Sequence, residues 1–226
     1  NSMQDVYGQV FTAAGQKVGG EFLVNQFTSY NQRTPAIAAL SGGRFVVAWF
    51  SPQDGSNYGV VARRYSSAGV AQGSEFQVNT FTPSSQSYPS VAADTTGNFV
   101  VTWSSYLQDG SSTGIYGQRY SGIGLPLASE FLVNSYTTNR QAGSVLATDG
   151  ATRLVVIWRS TLQDGSGDGV YGQLFCVPGG ASCDDGNPCT TDSCNLGVGC
   201  VHTNNTAPCD DDIACTVGDI CANLDG

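Results

Sequence analysis

One histidine, His202, is the only side chain in the sequence that could serve as an imidazole base, and it stands two residues from Cys200. No Ser-His-Asp or Cys-His nucleophilic set can be assembled without it. A single imidazole without visible partners reads as a turn residue. Paired carboxylates could do glycosidase chemistry, and Glu21, Glu75 and Glu130 are the carboxylates that stand out. They recur at equivalent positions, however. Recurrence marks architecture, because a catalytic pair breaks a repeat's symmetry. The chain is therefore expected not to be an enzyme.

Binding chemistry has more candidates. Asp54, Asp109 and Asp164 each sit in a Gln-Asp-Gly-Ser segment, where a carboxylate could meet a sugar hydroxyl or a cation. A hairpin Asp-Gly turn accounts for the same residues without a ligand. Trp49, Trp103 and Trp158 could be stacking platforms for sugars, but each ends an apolar run and reads as core. Asn25, Asn79 and Asn134, at strand ends, read as turn formers.

The last 51 residues hold all eight cysteines: Cys176, Cys183, Cys189, Cys194, Cys200, Cys209, Cys215 and Cys221. An even set confined to a short segment reads as a disulfide framework, and hence an oxidising, extracellular or cell-surface location. The same segment offers hard oxygen donors. They are Asp184, Asp185, Asn187 and Asp192 in its first half, and Asp210, Asp211, Asp212 and Asp219 in its second. These suit Ca²⁺, although the spacing is not that of an EF-hand loop, and a solvated acidic surface explains them as well. Zinc is disfavoured because no Cys-x-x-Cys pair occurs. No cofactor is required by anything in the sequence. Asn204-Asn205-Thr206 is a glycosylation sequon in a host that uses one.

Charge follows the same division. Residues 1–175 carry 10 acidic and 9 basic side chains, while residues 176–226 carry 8 acidic and no Lys or Arg. That tail repels nucleic acid and anionic lipid. No run approaches the roughly 18–20 apolar residues that cross a bilayer as a helix, so membrane insertion is not expected. The chain opens on Asn rather than Met, which points to a processed product or a piece of something longer.

The elements that must position these residues are repeats. Glu21-Phe-Leu-Val-Asn25 returns as Glu75-Phe-Gln-Val-Asn79 and Glu130-Phe-Leu-Val-Asn134. Phe45-Val-Val-Ala-Trp49 returns as Phe99-Val-Val-Thr-Trp103 and Leu154-Val-Val-Ile-Trp158, always at a spacing of 54 or 55 residues. Each unit predicts four short strands: the Glu-Phe-x-Val-Asn run, an Ala/Val-rich run, the Phe-Val-Val-x-Trp run and a Val-Tyr-Gly-Gln type run. The third is apolar on both faces, so it belongs in a sheet covered by two neighbours. The expected fold is all-β, with three four-stranded antiparallel units arranged like a propeller and a small disulfide-rich irregular tail. The division is 1–16 (a strand belonging to a preceding or partner unit), 17–69, 70–124 and 125–175 (the three repeats), and 176–226 (the Cys-rich acidic domain).

The combined repeat motifs over residues 5–175 resemble a family of tandem repeats in large secreted and surface proteins of bacteria. That resemblance implies location and a structural or adhesive role. Cys183-Asp-Asp-Gly-Asn-Pro-Cys189-Thr-Thr-Asp-Ser-Cys194, followed by Gly199-Cys200-Val-His202, resembles the Cys-rich repeat of slime-mould extracellular-matrix proteins. A second copy starts at Cys209, with Asp212-Ile213 in place of Gly-Asn, and stops at Gly226 before a fourth cysteine.

Two functions follow as expectations. One is an extracellular structural or adhesive protein that self-associates into a matrix, surface layer or filament. The other is a lectin-like propeller binding glycans at the repeated turns. Self-association rests on Val6, Tyr7, Gln9, Val10 and Phe11, a fourth-type strand whose own unit is missing. An edge strand of that kind exposes unpaired N–H and C=O groups, so it is expected to pair with a neighbouring chain. Three units and a strand leave three ways to finish the array: preceding repeats, closure between subunits, or open stacking.

Overall fold

The computed structural model describes residues 4–150, 153–176, 187, 189–195 and 199–205. Among them the fold is all-β, the one helical element being a short 3-10 turn at Ser41–Gly43. Strands β1 (Tyr7–Phe11) and β2 (Lys17–Leu23) form an antiparallel pair. Strands β3 (Arg33–Ala39), β4 (Phe45–Ser51), β5 (Gly59–Tyr65) and β6 (Phe76–Gln77) follow as a sheet in that order. A second four-stranded sheet runs β7 (Gln86–Ala93), β8 (Phe99–Tyr106), β9 (Thr113–Tyr120), β10 (Phe131–Leu132). A third has three strands, β11 (Gln141–Thr148), β12 (Arg153–Thr161) and β13 (Asp168–Cys176). A hairpin of β14 (Thr190–Asn195) and β15 (Gly199–Asn204) stands in the tail.

The sheets are offset by one strand from the sequence units. The Glu-Phe-x-Val-Asn segment that opens each unit pairs with the last strand of the unit before it: β6 with β5, β10 with β9, β2 with β1. Successive strands close antiparallel contacts across a short loop more readily than across a whole unit. This corrects the reading of residues 6–11 as a strand without a partner. That strand is paired along one edge within the chain, with Tyr7 opposite Leu23 and Gly8 opposite Phe22. Its other edge, where β8 pairs with β9 in the second sheet, has no strand among the described residues.

Each full sheet has a bulge near the start of its first strand, where Thr34, Tyr88 and Gly143 take positive φ of 51°, 55° and 69°. The bulge adds local twist and re-aims the strand.

The core lies in three seams between consecutive sheets. Val6, Val24 and the partly buried Phe22 pack on Val47, Trp49, Val61 and Tyr65. The opposite face of that sheet, including Val46, Ala48 and Val60, packs on Phe99, Val101 and Trp103. Val100 and Ile115 in turn meet Leu154, Val156 and Trp158. β4 and β8 are consequently buried on both faces, whereas β12 alternates buried and exposed residues along its length.

Candidate functional site

The recurring asparagines are buried, not turn-exposed. Asn25, Asn79 and Asn134 are each 2–3% exposed. Each side-chain oxygen accepts the backbone N–H of the preceding unit's last strand: Val6 N–H to Asn25 at 2.8 Å, Val60 N–H to Asn79 at 2.7 Å, Ile115 N–H to Asn134 at 2.6 Å. The amide nitrogens donate onward to the carbonyls of Phe27, Phe81 and Tyr136. The asparagine is thus a clamp between units. A recurring amide, where Gly, Ser and Asp would serve a turn equally, is the signal that could have revealed it.

Two recurring glutamates tie one unit to the next. Glu75 accepts the N–H groups of Gln26 and Phe27 at 2.8 and 3.2 Å. Glu130 accepts the N–H and hydroxyl of Thr80 at 2.7 and 3.0 Å, and the Gln108 side-chain amide as well. Glu21 is exposed.

Asp54, Asp109 and Asp164 each accept the N–H two residues on, from Ser56, Ser111 and Ser166, at 3.0–3.1 Å. The second oxygens of Asp54 and Asp109 are buried without a hydrogen-bond partner. They press on the backbone of the following strand so closely that a Cβ at Gly59 or Gly114 would lie 2.7 or 2.6 Å away. These carboxylates close the turn they occupy. Trp49, Trp103 and Trp158 are 0%, 0% and 5% exposed and form part of the seams.

In the tail, Asp184, Asp185, Asp210, Asp211, Asp212 and Asp219 lie outside the described residues, as do Cys183, Cys209, Cys215 and Cys221. Asn187 caps the Cys189 N–H at 3.0 Å, and Asp192 meets His202 across the hairpin at 2.7 Å. Cys189 is disulfide-bonded. Cys176 is placed on β13, and Cys194 stands opposite Cys200 in the β14–β15 register. Among the described residues no three His, Cys, Asp or Glu side chains converge as a metal group. Among the described residues no helix is long and apolar enough to cross a membrane.

Tyrosines add a further fastening. The Tyr65 hydroxyl donates to the Val24 carbonyl at 2.7 Å, and the Tyr120 hydroxyl to the Val78 carbonyl at 2.9 Å. Burial raises both phenols above their ordinary range, strongly so for Tyr120. Tyr116 is pushed up to about 12 by burial first, and then by the charges of Asp109 and Glu130. Unfolded tyrosines ionise near about 10. The stability tied to the protonated phenols is therefore whole below that value and is lost as pH climbs through the folded values. Alkaline titration should show a fraction of the phenolate absorbance appearing only together with unfolding, and Tyr120→Phe should shrink that fraction. Full phenolate absorbance near pH 10 in an intact fold would contradict this.

Residues 182–205 match the family described as the Dictyostelium (slime mold) repeat. The tail thus carries the Cys-rich repeat that its motif implied. No curated protein matches the chain. Among solved structures, an endo-arabinase from Bacteroides thetaiotaomicron matches at 13% identity and a TM-score of 0.45, covering 65% of this chain and 57% of that one. An endo-1,4-beta-xylanase from the same organism matches at 10% identity and a TM-score of 0.47, covering 71% and 59%. An alpha-L-arabinofuranosidase from Lactobacillus brevis matches at 10% identity and a TM-score of 0.44, covering 76% and 67%. The chain spans less than two thirds of the length of the first two. The expectation of a non-enzymatic chain is corrected here: all three matches bear the names of enzymes, and that expectation is withdrawn. At this identity and similarity they assign no activity to this chain.

Proposed function

We propose that the chain is a self-associating extracellular repeat module, its sheets arranged like part of a propeller, that builds a matrix, surface layer or filament. The observation that carries this reading is a set of apolar side chains left exposed at seam positions on the β3–β6 sheet and the β11–β13 sheet. On β12, Val155 and Ile157 are 42% and 43% exposed, although their repeat equivalents Val46, Ala48, Val100 and Thr102 are at most 6% exposed. On β3 Ile37 is 66% exposed, while its equivalents Val91 and Leu146 are 8% each. Large apolar side chains left open at seam positions favour association. An oxidising location is supported by the disulfide-bonded Cys189 and by the match of the tail repeat.

Sedimentation over a rising concentration series should give masses above the 23.6 kDa of one chain. Ile157→Lys, on the exposed face, should return the protein to a folded monomer. A monodisperse monomer at every concentration would overturn the reading.

A further inference from the structure

A polar cleft of about 360 Å³ opens beside the second sheet. That volume falls within the range of small-molecule sites, about 300–1,000 Å³. Every residue that lines it lies between positions 57 and 142, within the described residues. Three sheets contribute. Asn57 comes from the β4–β5 turn, Tyr88 from β7, Tyr106 from the end of β8, Thr113 from the start of β9, and Arg140 from the segment that enters β11. Two parallel bridges, Tyr58 with Ser85 and Thr113 with Arg140, fix these segments against one another.

The lining does not repeat. Aligned on Gln32, Gln86 and Gln141, Arg140 takes the place of Asn31 and Ser85, and Tyr88 that of Thr34 and Gly143. Aligned on Trp49, Trp103 and Trp158, Tyr106 takes the place of Pro52 and Thr161. The tryptophans and asparagines that build the seams recur in all three units, so departures gathered around one cleft are not what the architecture asks for. Tyr88 holds a φ of 55° where the third unit has glycine. A bulky residue kept in strained backbone at the rim of a cleft points to a task beyond packing. Its ring rests against Phe50, with centroids 5.7 Å apart, yet Tyr88 and Tyr106 stay 51% and 45% exposed. The side chains of Arg140, Asn57, Ser87 and Thr113 make no hydrogen bond or ion pair among the described residues.

We propose that this cleft binds an acidic saccharide, with Arg140 taking the carboxylate of a uronate residue. A guanidinium presents a planar fork that meets a carboxylate through two parallel hydrogen bonds. The two tyrosines offer an apolar ring face and a polar tip to a sugar. Asn57, Ser87 and Thr113 supply the donors and acceptors that sugar hydroxyls need. Charge selects against denser anions. The cleft has one cation and no Asp or Glu, in a chain of net charge −9, so it suits one carboxylate on a sugar and not a nucleic acid or polyphosphate. Neither the turn aspartates Asp54, Asp109 and Asp164 nor the seam residues Ile37, Val155 and Ile157 line it. Its occupancy therefore does not depend on self-association.

Calorimetric titration of the full chain with trigalacturonate and with trimannuronate tests this. At least one trimer should bind, and its fully methyl-esterified form should bind about tenfold to a hundredfold more weakly, the effect of losing a hydrogen bond to a charged group. Arg140→Gln should lower affinity for the acid by the same factor. Arg140→Lys keeps the charge without the fork and should fall between. Tyr106→Ala should weaken binding about threefold to tenfold. Arg140 and Tyr106 are exposed, so the urea midpoints of these variants should stay in place, and lost affinity is then not lost fold. Binding that Arg140→Gln leaves untouched lies elsewhere on the chain and overturns the proposal. Failure of both trimers to bind at millimolar concentration, equal binding of the ester, or preference for a sulfated galactan trimer overturns it too.

Discussion

Trp103→Ala should cost about 3–5 kcal/mol of unfolding free energy, the range for truncating a fully buried aromatic in a close-packed core. Trp103 is 0% exposed and sits in the seam that contains Val46, Ala48, Val60, Val101 and Tyr116. Two sheets lose packing at once when it goes, because the indole fills the space between them. Its Nε1 has no hydrogen-bond partner among the described residues, so the loss is one of packing. Trp49 provides the contrast. It is equally buried, but its Nε1 donates to the Gln32 side-chain oxygen at 3.2 Å, and Gln32 is itself 3% exposed. Trp49→Phe should therefore exceed Trp103→Phe by about 1–3 kcal/mol, the cost of leaving a buried acceptor unpaired. Urea midpoints for Trp103→Ala, Trp49→Phe and Trp103→Phe check this. Equal costs for the two Phe variants, or a Trp103→Ala loss below about 1 kcal/mol, would contradict it.

The strands and their period were legible in the sequence because a repeat prints its pattern three times. Phe-Val-Val-x-Trp is apolar on both faces, and β4 and β8 are indeed buried on both. A period does not reveal a phase, however. Cutting the chain at Glu-Phe-x-Val-Asn or at the following Ala/Val-rich run gives the same 54- or 55-residue spacing. Only the pairing of β6 with β5 decides between them. The same limit hid the asparagine clamps, since Asn79 looks like a turn residue until Val60 is placed beside it. β12 shows the converse. Leu154-Val-Val-Ile-Trp158 is as apolar as its relatives, yet Val155 and Ile157 are 42% and 43% exposed, and no further sheet among the described residues covers them. Local pattern cannot report a neighbour that another part of the array must supply. The turn aspartates were ambiguous for a different reason: Asp-Gly is both a turn signal and a ligand motif, and the orientation of the second oxygen is a three-dimensional fact.

Asn79→Ala should cost about 2–4 kcal/mol, more than an exposed turn asparagine could. Asn79 is 3% exposed and makes three hydrogen bonds: it accepts from Val60 N–H at 2.7 Å, and donates to the Phe81 carbonyl at 2.8 Å and to the Gln86 side-chain oxygen at 3.1 Å. Alanine leaves a buried N–H and two acceptors without this partner, and each unmet buried group costs about 1–3 kcal/mol when no water can reach it. Val60 is 0% exposed, so rescue of its N–H by water requires the strand to move. Asn25→Ala removes the matching bonds, to Val6 N–H, Asp5 and the Phe27 carbonyl. Its effect should be of another kind. Among the described residues β1 has a strand on one edge only, and Tyr7–Phe11 are half-buried or exposed where β5 is mostly buried. Its release takes only Val6 out of the seam with Trp49 and Tyr65 and can proceed as local opening. Hydrogen exchange should then show lost protection over residues 6–11 with the global urea midpoint almost unmoved, whereas Asn79→Ala should shift the midpoint itself. A midpoint shift of the same size in both variants would mean that β1 is as integral to the fold as β5 and is not free to leave.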